Sequence, residues 1–278
     1  MTKTILVPTD FSENAFFATL YACKLALKQG FEIELFHCYT TTSTVFDEAD
    51  DNIPVLKADV LILEWKENLH QQFPTLNIAT TCVAGLLSEV LPTLSRQDKY
   101  GLIVMGTTGS GKGKPVVWGS NTNNIIFKSA VPVLAIPNLY DNFNFERVAM
   151  LTNFKSEELE TLTSYIDHIS TIPKLDIIHV YKDVGEQSKI ENLLTSWSFN
   201  IKEINGVESV NTISSPIDRD DAELDTVPES IQHIITQHNY DIILVSKTRK
   251  SFFERLFRTS VSKQIVLNLD RPAFFDNN

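Results

Sequence analysis

The chain has 278 residues, 43% of them hydrophobic, enough for two domains of ordinary size that each bury a core. Its formal net charge of -11 argues against a broad nucleic-acid footprint and against adsorption to anionic lipid. Three cysteines without a Cys-x-x-Cys spacing argue against a disulfide framework or a zinc site, and no stretch of about 18 apolar residues or signal-peptide core is present, so a cytoplasmic protein is expected.

The first apolar run, 4–7, predicts a strand that ends in Pro8-Thr9-Asp10-Phe11-Ser12. Ser12 is a helix cap, Phe16, Leu20, Cys23 and Leu27 recur at helical spacing behind it, and Gly30 supplies the stop. A strand over 32–39, a helix over 55–73 carrying Leu56, Val60, Leu63 and Leu69, and a strand over 78–83 follow. A helix over 86–94, a strand over 102–105, a helix over 121–128 and a strand over 131–136 complete the half. This βαβαβαβαβ order predicts a mostly parallel five-stranded sheet with helices on both faces, because parallel strands need crossovers that cover the sheet. Ligands in such sheets sit beyond the carboxyl ends of the strands.

The polar run 138–144 breaks the apolar pattern and divides the chain into domains 1–140 and 145–278. The second half repeats the first. Leu151-Thr152-Asn153-Phe154-Lys155 resembles residues 8–12, and Lys174-Leu175-Asp176-Ile177-Ile178-His179-Val180-Tyr181 resembles residues 32–39. Tyr240-Asp241-Ile242-Ile243-Leu244-Val245 matches residues 100–105, and Asp270-Arg271-Pro272-Ala273 matches residues 131–133 less closely. Four segments matched in the same order point to a duplication. His37 and His179 end equivalent strands and read as a repeated structural hydrogen bond. The stretch 207–226, with Asp218, Asp220, Asp221, Glu223 and Asp225, reads as an extended acidic loop, and the run 47–51 as a solvated one.

The segment that carries chemistry is Met105-Gly106-Thr107-Thr108-Gly109, then nine residues, then Gly119-Ser120-Asn121-Thr122, set between a strand and a helix. Glycines there let backbone amides approach a phosphate, and the helix start adds unpaired N–H donors. Ser120 and Thr122 offer hydroxyls, and Asp10 faces the same crevice, where it can accept ribose hydroxyls. Gly106, Gly111 and Lys112 also satisfy G-x-x-x-x-G-K, but Gly113 stands where a P-loop has Ser or Thr, and Gly113-Lys114-Pro115 is a poor helix opening. A plain flexible βα loop remains the competing reading, and it accounts for the inner glycines better than for the outer ones.

The turn 8–12 together with Gly106-x-x-Gly109, nine residues and Gly119-Ser120 resembles the universal stress protein family, whose ATP-binding members show G-x2-G-x9-G-(S/T). The resemblance covers nearly the whole chain as two tandem Rossmann-like domains of the adenine-nucleotide alpha hydrolase type. It implies ATP as ligand, with Mg²⁺ held by the phosphates and no cage of protein ligands. It implies that Asp10 contacts the ribose, that the chain around Pro8, Thr9 and Cys38 borders the adenine, and that Met105, Gly106, Gly109, Gly119, Ser120, Asn121 and Thr122 border ribose and phosphates. Asn121 replaces a small apolar residue frequent in the family. Family members commonly dimerise, so a tandem chain can satisfy that pairing internally, and further self-association stays open.

In the second half Asn153 replaces Asp10, Ser246 replaces Gly106, Arg249 replaces Gly109 and Thr259 replaces Gly119, although Ser260 and Ser262 keep the places of Ser120 and Thr122. An arginine where backbone must approach a phosphate obstructs it, so this half is expected not to bind ATP. What remains there is a basic, aromatic stretch, 247–258, which can dock an anionic partner or form a solvated loop with Phe252 and Phe257 in the core. Three functions follow: a stress-related regulator that binds an adenine nucleotide in its first half, a nucleotide-independent protein-interaction module, or an ATP hydrolase. No carboxylate or histidine is assignable to water activation beside the phosphates.

Overall fold

The computed structural model describes residues 2–39, 54–107, 120–218, 220–221, 225–247 and 270–276, with the backbone alone for 54–56 and 120. The run 47–51, the glycine-rich residues Gly109, Gly111, Lys112, Gly113, Lys114, Pro115 and Gly119, and the stretch from Arg249 through Ser262 lie outside the described residues. Two compact units are present, one reaching Asp141 and one starting at Asn142.

The first unit runs β1 (Thr4–Pro8), α1 (Glu13–Gln29), β2 (Glu32–Tyr39), α2 (Pro54–Gln72), β3 (Ile78–Ala84), α3 (Leu87–Leu94), β4 (Tyr100–Gly106), α4 (Ser120–Lys128) and β5 (Val133–Ile136). Its strands are parallel in the order β3-β2-β1-β4-β5. Leu6 lies opposite Glu34 on one side and Ile103 on the other, which fixes the register. β1 and β5 are buried along their whole length, as expected of parallel strands covered on both faces.

The predicted caps of the first helix are present: Ser12 Oγ accepts from Ala15 N at 3.2 Å, and Gly30 closes the helix in the left-handed region at φ 70°. Its buried face, however, is not the stripe from Phe16 to Leu27. Leu27 is 48% exposed, and the helix lies on the sheet through Ala15, Ala18, Ala22, Leu25 and Ala26. Alanines bring the helix backbone close to the strands, so the larger side chains are displaced to its flanks. Phe16 meets the edge of Trp65 there. On α2, Val60 and Leu63 are likewise exposed, at 54% each, while Ile62 and Leu69 form the inner face.

The second unit runs β6 (Arg147–Leu151), α5 (Glu157–His168), β7 (Lys174–Tyr181), α6 (Gln187–Lys202), β8 (Val210–Pro216), α7 (Val227–His238), β9 (Ile242–Ser246) and β10 (Ala273–Asp276). Its strands are parallel in the order β8-β7-β6-β9-β10, the sequence of pairings seen in the first unit. β8 overturns the reading of 207–226 as one acidic loop. Residues 210–216 pair with β7, and the polar composition reflects an outermost strand with two exposed positions, Asn211 and Thr212. The acidic residues lie beyond Pro216, before Thr226 caps α7. Among the described residues no helix is long and apolar enough to cross a membrane.

In each unit an acid on the second strand accepts from a tyrosine, buried at Glu34 and half-buried at Asp176. Glu34 on β2 accepts from Tyr100 Oη at 2.9 Å, Thr81 Oγ1 at 2.9 Å and Lys99 Nζ at 2.8 Å. Burial raises the affinity of its carboxyl for a proton, and these three donors outweigh that, so its pKa falls below the ordinary value. Asp176 on β7 holds the matching place and accepts from Tyr240 Oη at 2.8 Å.

Candidate nucleotide site

From β1 the first sheet extends through β2 and β3 on one side and through β4 and β5 on the other. The carboxyl ends of β1 and β4 therefore form a topological switch point, the place where open α/β sheets bind ligands. Of the residues expected to carry chemistry, Pro8, Thr9, Asp10, Met105 and Gly106 lie at or beside these two strand ends, Cys38 lies on β2, and Ser120, Asn121 and Thr122 open α4.

Past the buried Pro8, Thr9 is held by three bonds. Its N–H donates to Phe36 O at 2.9 Å, its Oγ1 accepts from Phe11 N at 3.0 Å, and its carbonyl lies 2.8 Å from His37 Nδ1. Those bonds support a left-handed Phe11, φ 61°, whose ring packs on His37 with centroids 4.5 Å apart. Asp10 projects from the turn, exposed, with Oδ1 accepting from Ser12 N at 3.1 Å. A carboxylate at the rim of a crevice is placed to accept hydroxyl donors from a ligand.

On β4, Met105 is buried and Gly106 ends the strand. A Cβ on Gly106 would stand 2.6 Å from Asn14 Nδ2 and 2.9 Å from its Cγ, so a side chain there requires the buried Asn14 to move. Thr107 follows at 1% exposure, and its Oγ1 has no hydrogen-bond partner among the described residues. Asn123 Oδ1, in the first turn of α4, is buried without a partner in the same sense. Two polar atoms orphaned among the described residues suit a polar ligand over the start of α4.

Ser120 opens α4, and Asn121 is exposed. Thr122 is buried and its hydroxyl donates to Gly106 O at 3.2 Å, tying α4 to the end of β4. Its proton is therefore engaged by the chain itself. Cys38 is half-buried on β2, and burial pushes its thiol up to about 11, so it stands as a protonated, weakly nucleophilic group. Asn14 and Asn123 were not identifiable as site residues from the sequence, where neither sits in a motif.

The second unit repeats the turn and changes its contents. Thr152 Oγ1 accepts from Phe154 N at 3.0 Å, His179 Nδ1 lies 2.9 Å from Thr152 O, and Phe154 has φ 58° with its ring 4.6 Å from His179. The expected repeated histidine bond is thus present in both units. At Asn153, however, the backbone N–H donates to Glu158 Oε1 at 2.7 Å, and Thr152 Oγ1 donates to Glu158 Oε2 at 2.5 Å. Burial raises the pKa of Glu158 despite these donors. Ser246 and Lys247, both buried, stand where the first unit has Gly106 and Thr107.

Residues 1–137 match the model of the universal stress protein family. That match spans all five strands of the first unit. No curated protein matches the chain. A universal stress protein from Archaeoglobus fulgidus aligns over 98% of this chain and 97% of its own, at 19% identity and a TM-score of 0.66. A candidate universal stress protein from Pseudomonas aeruginosa aligns over 99% of this chain and 92% of its own, at 11% identity and a TM-score of 0.61. At these identities the likeness extends to the fold, and it runs through both units.

Proposed function

We propose that the whole chain is a tandem universal stress protein, a cytoplasmic regulator that binds ATP or a related adenine nucleotide in its first unit. The second unit acts as a non-binding partner within the same chain, taking the place of a second copy. The observation that carries this reading is the switch point of the first unit, where Asp10 stands exposed at one strand end and the buried Thr107 Oγ1, without a partner among the described residues, follows the other. In this reading Asp10 takes the ribose hydroxyls, the backbone near Pro8, Thr9 and Cys38 borders the base, and the start of α4 receives the phosphates with any Mg²⁺ they carry. Gly109, Gly119 and Ser120 complete the cradle as the family spacing implies.

A ligand taken up by the folded state alone raises stability by RT ln(1 + [L]/Kd), about 2.7 kcal/mol at a hundredfold excess over Kd. The test is a thermal melt with and without MgATP on the wild-type chain and on Gly106→Ser, which copies the second unit. The wild type is expected to shift and Gly106→Ser to shift little. No shift in the wild type sinks the nucleotide reading and leaves the interaction module.

A further inference from the structure

In the second unit the sheet again extends both ways from its first strand, through β7 and β8 and through β9 and β10. Lys247 sits at the carboxyl end of β9, directly at that switch point, where its N–H donates to Asp276 O at 3.1 Å. Its side chain is 4% exposed, and its Nζ makes no hydrogen bond among the described residues. Lysine is almost never buried to this degree unless paired, because an ammonium carries three donors that lose their water. Asp276, at the end of β10, attracts the ammonium without hydrogen-bonding it. Glu158 directs its oxygens to Thr152 Oγ1 and Asn153 N. The chain thus places a cation at a ligand-binding position of the fold and supplies it with no acceptor among the described residues.

We propose that Lys247 anchors an oxyanion site at the carboxyl ends of β9 and β10, accepting a phosphate group or a carboxylate from outside the chain. The second unit then keeps a ligand site of its own, different in kind from a nucleotide cradle. Burial pushes the amine down to about 8, against the pull of Asp276, so at pH 7 the group is still mainly an ammonium. A bound oxyanion returns to it the acceptor that burial removed and draws its titration upward. The site does not depend on nucleotide binding in the first unit.

Calorimetric titration of the intact chain with inorganic phosphate and, separately, with acetate at pH 7 tests the proposal. One or both anions bind the wild type, and Lys247→Met weakens that binding by about tenfold or more, the loss expected for a charge-assisted hydrogen bond. Lys247→Arg retains more affinity than Lys247→Met, and on a Gly106→Ser background the part of the binding that depends on Lys247 persists. Which anion binds identifies the source of the oxygen atoms. The titration of the Lys247 Nζ, followed by NMR on chain labelled with ¹⁵N-lysine, moves upward when the binding anion is added, and this reading needs no variant to fold. The proposal is overturned if neither anion binds, if Lys247→Met binds as tightly as the wild type, if Gly106→Ser abolishes binding, or if the Nζ midpoint stays fixed.

Discussion

At the end of β1 and at the end of β6 the backbone makes the same turn, with Phe11 at φ 61° and Phe154 at φ 58°, each with its ring tilted against the histidine of the neighbouring strand. The side chains around the two turns differ. The first turn presents Asp10 to solvent and keeps Gly106 bare, whereas the second clamps Asn153 with Glu158 and fills the facing strand end with Ser246 and Lys247. The lesson is that the scaffold bonds and the ligand contacts are separable: threonine, histidine and the left-handed aromatic residue build the turn, and the residues between them decide what it can hold.

The two tyrosine-bonded acids offer the harshest way to break the comparison. Glu34 →Ala removes an acceptor from Tyr100, Thr81 and Lys99 together, and such a loss of one member of a buried charged network costs about 3–5 kcal/mol. Lys99 is 44% exposed, so the lower figure is expected. Asp176→Ala strands Tyr240 Oη alone among these contacts and is expected to cost about half as much. Because the folded pKa of Glu34 is lowered, its contribution is present above the ordinary glutamate range and is lost as pH falls through the folded value. Urea unfolding of both variants at pH 7 and pH 4 checks this. Equal costs would show that the two networks are interchangeable.

Next in size is Lys247→Met. The amine's fall from 10.5 to about 8 corresponds to destabilisation of the order of 3 kcal/mol in the absence of a bound anion. Since the folded pKa is lowered, the unfolded chain holds more protons between those values, and wild-type stability gains from this group as pH rises from 8 towards 10.5. Lys247→Met is therefore expected to be the more stable protein at pH 7, with the gap closing above pH 10. Taking the difference between the two proteins removes the opposing titration of Cys23, Cys38 and Cys82, which burial pushes up in both. A constant gap across this range would mean that Lys247 titrates as an exposed lysine.

The alternation of strands and helices, the caps of α1 and the histidine pair were legible because local chemistry dictates them: Ser12 and Gly30 mark α1 whatever it packs against, and alternating strands and helices imply a parallel sheet. The helix face was not legible. Phe16 and Leu27 are more hydrophobic than Ala18 and Ala22, yet close approach to the sheet selects the small residues. β8 was missed because an outermost strand carries polar residues that a composition count assigns to a loop. Glu34 alternates with Ile33 and Leu35 beside Glu32, the pattern of a half-exposed strand, so its burial was not legible. Glu158 and Lys247 gave no signal either: Glu158 reads as an ordinary acid in the first turn of a helix until the folded turn brings it to Thr152 and Asn153, and the burial of Lys247 depends on strands far apart in sequence.

Gly106→Ser carries the ligand half of the comparison. Moving Asn14 to admit the new Cβ costs about 1–3 kcal/mol as overpacking, and the stabilisation by MgATP is expected to be lost with it. The reverse change, Ser246→Gly, removes a side chain from a strand end that already accommodates one and is expected to cost about 0.5–1 kcal/mol. It restores no nucleotide response, because Asn153 is still clamped. Melting both variants with and without MgATP separates packing from binding. A response gained by Ser246→Gly alone would show that one side chain, and not the clamp, silences the second unit.

The smallest effects come from the element that the units share. His37→Ala and His179→Ala each remove one bond to a threonine carbonyl and are expected to cost about 1 kcal/mol apiece. Burial lowers the pKa of His179, against the opposing pull of Thr152 O and Glu186. Below the ordinary histidine range the unfolded chain therefore binds a proton that the folded chain resists, and stability falls with pH on that account. His179→Ala should flatten this slope between pH 6.5 and 5 while lowering stability at pH 7.5, as followed by denaturant midpoints. If the slope survives His179→Ala, the acid sensitivity belongs to another group and the two histidines are matched in geometry only.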